Sequence, residues 1–430
     1  MTTLVENVLE APPAAASPAT TSVQNEASPG AARRAFSQAR IPELDGLRGL
    51  AILLVLLYHY ITLSGASVPG TPLNILQKSF AIGWAGVDLF FVLSGFLIGG
   101  ILLDARESPS YFRTFYARRF FRIIPLYGLW VGIFFALVLL FFPGFPAALR
   151  DNPERWSDAR FYFAFLQNSF KIPHGVFGTA WLGPLWSLAV EEQFYLVMPL
   201  VVRFFPRRRL VETMALTVAL APVMRMAVRF YAPEHGAAPY MLTACRADAL
   251  ALGVLLACVL RDERWRSRLV RSAKLAYAVF PILLIPVGYL LLANPSQYSA
   301  TMSQWGFSAL GLFFVSLLAL AVLHPRGSFA WFCRWPFLAQ LGRVSYCVYV
   351  IHQTVNLLCH LLLLNSAPAI NTFRGGAVTL LAAALTFVIA QLSWKLFEYP
   401  LLSKGYAFKY ATAEGAIRAG ARLQVAARGQ

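Results

Sequence analysis

The sequence predicts an all-α protein: a polytopic membrane helix bundle of about ten transmembrane helices, with both termini cytoplasmic. Three observations carry that prediction. Of the 430 residues, 58% are hydrophobic and only 13% charged, whereas an ordinary soluble domain is about 25% charged. Apolar runs of membrane-spanning length follow one another from Leu44 onward. The basic residues behind a net charge of +17 lie between those runs rather than along one soluble face. They fall mostly in alternate loops, and cytoplasmic loops are the basic ones. This distribution reads as topology and speaks against a nucleic-acid partner.

Taken in order, residues 1–40 are rich in Ala, Pro, Ser and Thr and lack sustained periodicity, so they read as a disordered leader. They contain no apolar core of the kind a signal peptide needs, and no cleavable signal is expected. The membrane domain is expected over 41–402, with spans at 44–64, 81–103, 123–143, 180–202, 210–230, 241–260, 275–293, 301–323, 336–362 and 375–401. The stretch FYFAFLQNSF, 161–170, is too short to span and reads as an interfacial or re-entrant piece before the fourth helix. Pro184, Pro281 and Pro286 fall within spans, where neighbouring helices can satisfy the freed backbone groups. The clearest inside loops are ARRFFR at 117–122, RRR at 207–209 and RDERWRSRLVRSAK at 261–274. Residues 403–430 form a basic cytoplasmic tail, read as an amphipathic helix on the bilayer surface. Cys245, Cys258, Cys333, Cys347 and Cys359 have no metal-ligand spacing and read as packing residues. No metal site and no internal repeat are expected.

Charges inside a membrane are costly and face protein or water, so their depths carry information. LDGLRGLAILLVLLYHY places Arg48 and His59 eleven positions apart. On a regular helix that is an angular offset of only ~20° and an axial rise of roughly 16 Å. Rise per residue puts Asp88, Arg246, Asp248 and His352 at the level of His59, in the outer half, with Glu191 and Glu192 nearer the midplane. Arg48, Arg118, Arg119, Arg122, Arg343 and Glu398 form an inner tier. The arrangement predicts a polar passage, basic on the cytoplasmic side and capable of acid–base work on the other. Each group also has a plainer reading: His352 as an interhelix hydrogen bond, Arg118, Arg119 and Arg122 as ordinary positive-inside residues, Asp45 as a helix N-cap.

The blocks DGLRGLAILLVLLYHY, GVDLFFVLSGFLI, YARRFFRIIPLY, LWSLAVEEQFYL, RADALALG, LGRVSYCVYVIHQ and FEYP occur in this order. That succession closely resembles the acyltransferase-3 family of integral-membrane O-acyltransferases, from about Ile41 to Leu402. The resemblance implies transfer of an acyl group, usually acetyl, from cytoplasmic acyl-coenzyme A to a hydroxyl of a saccharide or lipid-linked saccharide. The family's Arg-x10-His motif matches Arg48 and His59, its Arg-x-x-Arg motif matches Arg119 and Arg122, and its tryptophan–serine–leucine block places its glutamate at Glu191. Acyl-coenzyme A is then the donor substrate, no cofactor is permanently bound, and the bacterial inner membrane is the expected location.

On this reading His59 is the general base for the acceptor hydroxyl, since a neutral imidazole suits that task near neutral pH. Asp88 or Glu191 orients its other nitrogen. Arg48 positions the donor, and Arg119 and Arg122, with Arg118, hold the coenzyme A phosphates. Direct transfer and a transiently acylated His59 both fit. The alternative class is a transporter or flippase of a lipid-linked saccharide or small solute, for which the paired halves common in transporters are missing from the sequence.

Overall fold

The computed structural model of the protein describes residues 41–141, 159–170, 180–271, 273–293 and 296–411. The expected leader, 1–40, and the tail from 412 on lie outside the described residues. Among the described residues, ten long helices are α1 Pro42–Leu57, α2 Gly86–Ala105, α3 Tyr111–Phe141, α4 Trp186–Phe204, α5 Arg207–Tyr231, α6 Thr243–Leu260, α7 Ala273–Ala293, α8 Phe307–Leu323, α9 Ser345–Leu364 and α10 Phe373–Ser393. Among the described residues there is no strand. Nine helical stretches among them are long and apolar enough to cross a membrane, and α7 adds the apolar stretch Phe280–Ala293. Large side chains such as Leu220, Ile285, Leu292 and Leu380 are exposed on the outside of the bundle. A lipid-facing surface has that character.

α1 starts from an extended Ile41 with Pro42 in the first helical position, where a missing N–H leaves nothing unpaired that a helix start would satisfy. Asp45 is therefore not the N-cap; it lies in the first turn, 3.4 Å from Arg48. At its far end α1 widens into a π turn, Tyr58–Thr62, closed by the Leu63 N–H on the Tyr58 carbonyl at 3.0 Å. A π turn takes following side chains off the 3.6-residue register. His59 is the second residue of that turn.

α1 packs most heavily against a short helix, Pro336–Arg343. A Cβ added to Gly49 would lie 2.0 Å from the Leu338 carbonyl oxygen, and one on Gly342 would lie 1.7 Å from that of Asp45. Only glycine permits backbones to approach so closely. This contact also corrects the expected span at 336–362. The chain turns at Val344 (φ −98°, ψ 7°), so that the glycine face of Pro336–Arg343 lies against α1 while α9 runs on beside α10. Hydropathy stays high through such a change of direction and does not register it. α2 and α6 make the other close pair, with Gly253 against the Val92 carbonyl.

Buried ion pairs tie this centre together. Arg246 of α6 meets Asp88 of α2 at 2.5 Å, and Arg225 of α5 meets Asp248 of α6 at 2.9 Å. Ser308 of α8 joins the second pair, accepting from Arg225 and donating to Asp248, both at 2.7 Å. All four charged side chains are buried, and a buried charge persists only when paired. The segment at 161–170 forms two short helical turns, Ala159–Phe163 and Gln167–Phe170, with Phe165 at φ +54° between them. It does not span. After Tyr406 the described part of the tail leaves helical structure and folds back on α3: Arg118 Nε donates to the Phe408 carbonyl at 2.8 Å, and the Ala411 N–H to Ser110 Oγ at 2.9 Å.

Candidate active site

Among the described residues, two cavities are lined by residues that the sequence singled out. The first, of about 260 Å³, is lined by Arg48 from α1, Arg119 and Arg122 from α3, Glu191 and Tyr195 from α4, and Tyr346 from α9, among others. Arg119 and Arg122 are three residues apart and so share one helical face. Arg119 Nε is buried without a hydrogen-bond partner, and its guanidinium lies over the Tyr195 ring at 5.8 Å. Glu191 accepts from Ser94 Oγ and from the Tyr195 hydroxyl, each at 2.9 Å. Three guanidinium groups facing one carboxylate make this cavity electropositive, and planar guanidinium forks match phosphate oxygens.

The second cavity, of about 200 Å³, is lined by His59, Tyr58, Trp84, Tyr240, Tyr298 and Gln353, among others. Burial pushes the Tyr298 phenol up to about 12, against a side-chain hydrogen bond with Gln297. At neutral pH Tyr298 is therefore a hydroxyl and not a phenolate.

His59 does not stand alone. Its Nδ1 is 2.9 Å from the Val55 carbonyl oxygen and 3.2 Å from Nε2 of His352 on α9. Nδ1 of His352 is in turn 2.7 Å from the Tyr349 carbonyl oxygen. A carbonyl only accepts, so each Nδ1 must carry a proton and donate it. In the neutral rings His352 Nε2 is then an acceptor for the His59 Nδ1–H, and His59 Nε2 is left with its lone pair free. The two rings meet edge to face, with centroids 4.8 Å apart. His352 is fully buried, and its backbone carbonyl accepts from the Tyr60 hydroxyl at 2.8 Å, itself bonded to Thr386 of α10 at 2.9 Å. The imidazole pair is thus anchored from two neighbouring helices.

Arg48, Arg119, Arg122 and Glu191 come together in one cavity and His59 lines the other. Asp88 and Arg118 line neither. The carboxylate of Asp88, expected beside His59, is held by Arg246. Glu191 is held by Ser94 and Tyr195. The group that meets the Nδ1 nitrogen of His59 is His352, which the sequence placed at the same depth and read as an interhelix hydrogen bond without naming its partner. Arg118 turns away from its neighbours on α3, bonding the Phe408 carbonyl and lying over the Tyr410 ring at 5.1 Å. Arg225 was not singled out in the sequence, and only its apolar surroundings signalled burial. The two cavities adjoin, with Val87 and Tyr349 lining both. Among the described residues, no group of three or more His, Cys, Asp or Glu side chains is placed to hold a metal ion.

A family model described as an acyltransferase domain matches residues 41–394. The chain is similar to the peptidoglycan O-acetyltransferase OatA of Listeria monocytogenes, with 29% identity over 384 residues, covering 86% of this chain and 57% of the relative. Similarity to the O-acetyltransferase OatA of Staphylococcus aureus is 26% over 391 residues, covering 86% and 58%. For the putative peptidoglycan O-acetyltransferase YrhL of Bacillus subtilis it is 30% over 389 residues, covering 85% and 55%. The chain therefore spans less than two thirds of the length of these relatives. No solved structure matches it.

Proposed function

The chain belongs to the acyltransferase-3 family and is an integral membrane protein, and from that premise we propose that it moves an acyl group, acetyl above all, from acyl-coenzyme A to a saccharide hydroxyl. The observation that supports this best is the pairing of an arginine-walled cavity with an adjoining one that presents the free Nε2 of His59. Arg119 and Arg122 hold the coenzyme A phosphates, and Arg48 positions the donor between them and the reacting centre. His59 Nε2 takes the proton of the acceptor hydroxyl as its oxygen attacks the thioester carbonyl carbon. The C–S bond breaks, the C–O bond forms, and the proton goes on to the departing thiolate. His352 is a positioning residue: it holds the ring of His59, whose tautomer the Val55 carbonyl sets, without touching the reacting atoms. Both termini on the cytoplasmic side would set the arginine cavity towards the coenzyme A pool. Relatives named for peptidoglycan O-acetylation make a cell-wall glycan the acceptor class of choice.

The test supplies labelled acetyl-coenzyme A to membrane vesicles containing the full chain, together with peptidoglycan fragments. Label should enter the glycan, and His59→Ala should lower the rate by roughly 10²–10⁴-fold, the range of general-base catalysis. Absence of label with the intact chain, or a wild-type rate in His59→Ala, overturns the reading. Movement of glycan across the vesicle without label would instead identify a flippase.

A further inference from the structure

The arginine cavity and the histidine cavity have two lining residues in common, Val87 of α2 and Tyr349 of α9. Both side chains are buried and border both cavities as a shared wall. The wall is bolted on one side. The Tyr349 hydroxyl is 2.5 Å from Ser187 Oγ and donates to the Pro184 carbonyl at 2.9 Å, which ties the ring to the start of α4. Ser187 faces the arginine cavity and Pro184 the histidine cavity. The same residue's backbone carbonyl orients His352, so the wall and the imidazole pair share a framework. Val87 has no polar group and no hydrogen bond to hold, and it bounds the opposite edge of any gap.

An acyl group arriving with the donor on the arginine side must reach the nucleophile on the histidine side by passing this wall. We infer that Val87 and Tyr349 form a size-selective septum that sets which acyl chains are transferred. The inference rests on the acyl-transfer reading above and involves the same bond exchange. A short acyl group passes beside Val87 with the Tyr349 ring in place. A longer one requires either a smaller residue at position 87 or release of the tyrosine from Ser187 and Pro184. A hydrophobic pocket discriminates by roughly tenfold or more per methylene, so the chain-length profile is a sensitive readout, and a role in stability alone would not move it.

The experiment measures release of free coenzyme A from acetyl-, propionyl- and butyryl-coenzyme A by the full chain in membrane vesicles, with peptidoglycan fragments as acceptor. Val87→Ala should raise the butyryl-to-acetyl rate ratio by about tenfold. Val87→Leu should lower it, and Tyr349→Phe, which keeps the ring but frees it, should raise it less than Val87→Ala does. The acetyl rate of each variant serves as its internal control for folding. Ratios within twofold of wild type in both Val87 variants, with acetyl transfer still running, refute the septum and leave the transfer reading intact. No release of coenzyme A by the wild-type chain from any of the three donors removes both.

Discussion

Replacing His352 with alanine separates a positioning histidine from a packing one. The side chain is fully buried, and its Nε2 accepts from His59 Nδ1 at 3.2 Å, the longer of the two contacts that hold that nitrogen. The shorter contact, to the Val55 carbonyl, survives the substitution. The catalytic loss is therefore that of one neutral hydrogen bond, about 1–1.5 kcal/mol, or roughly tenfold in kcat. It should fall well short of the His59→Ala loss. His352 does not line the arginine cavity, so KM for the acyl donor should stay near wild type. His352→Gln puts an acceptor oxygen close to the position of Nε2 and should recover part of the rate. Initial rates of label transfer from acetyl-coenzyme A, measured beside thermal unfolding in detergent, provide the assay. A His352→Ala protein that folds and keeps kcat within twofold of wild type would refute the orienting role. So would an equal loss in the alanine and glutamine variants.

Two further outcomes follow from the charged groups. Arg119→Ala combined with Arg122→Ala should raise KM for acyl-coenzyme A by roughly a hundredfold, since each charge-assisted hydrogen bond contributes about 1.5–3 kcal/mol; saturation curves for donor and acceptor check this, and a change confined to the acceptor would move the donor site elsewhere. Asp88→Asn strands the buried charge of Arg246 and should destabilise the protein by about 3–5 kcal/mol, read as a lowered Tm in detergent. The pair Asp88→Leu with Arg246→Met should regain much of that stability. An Asp88→Asn protein as stable as wild type but inactive would return Asp88 to the chemistry.

Much of the architecture is legible residue by residue. The spans at 210–230, 241–260 and 301–323 emerge as α5, α6 and α8 with small shifts at their ends, because the length of an apolar run is a local property that the thickness of hydrocarbon reads directly. Arg119 and Arg122 share a face because they are three residues apart. Local rules fail where the partner is distant in the chain. The turn at Val344 follows from Gly342 meeting Asp45, almost three hundred residues earlier in the sequence, and no window of hydropathy contains both.

By itself the sequence determined that the chain is a bundle of membrane-length helices, that Arg48 and His59 occupy one helix, and that a basic face recurs on the third. Tertiary structure alone decided the partners. It gave Asp88 to Arg246 and Asp248 to Arg225, leaving the nitrogen of His59 to a second imidazole. It also set Val87 and Tyr349 where the arginine-lined and histidine-lined cavities adjoin. Shared depth in a membrane is an axial coordinate and can be counted along a helix. Which polar groups at one depth actually touch depends on how the helices are rotated and arranged around one another, and close glycine contacts help set that arrangement here.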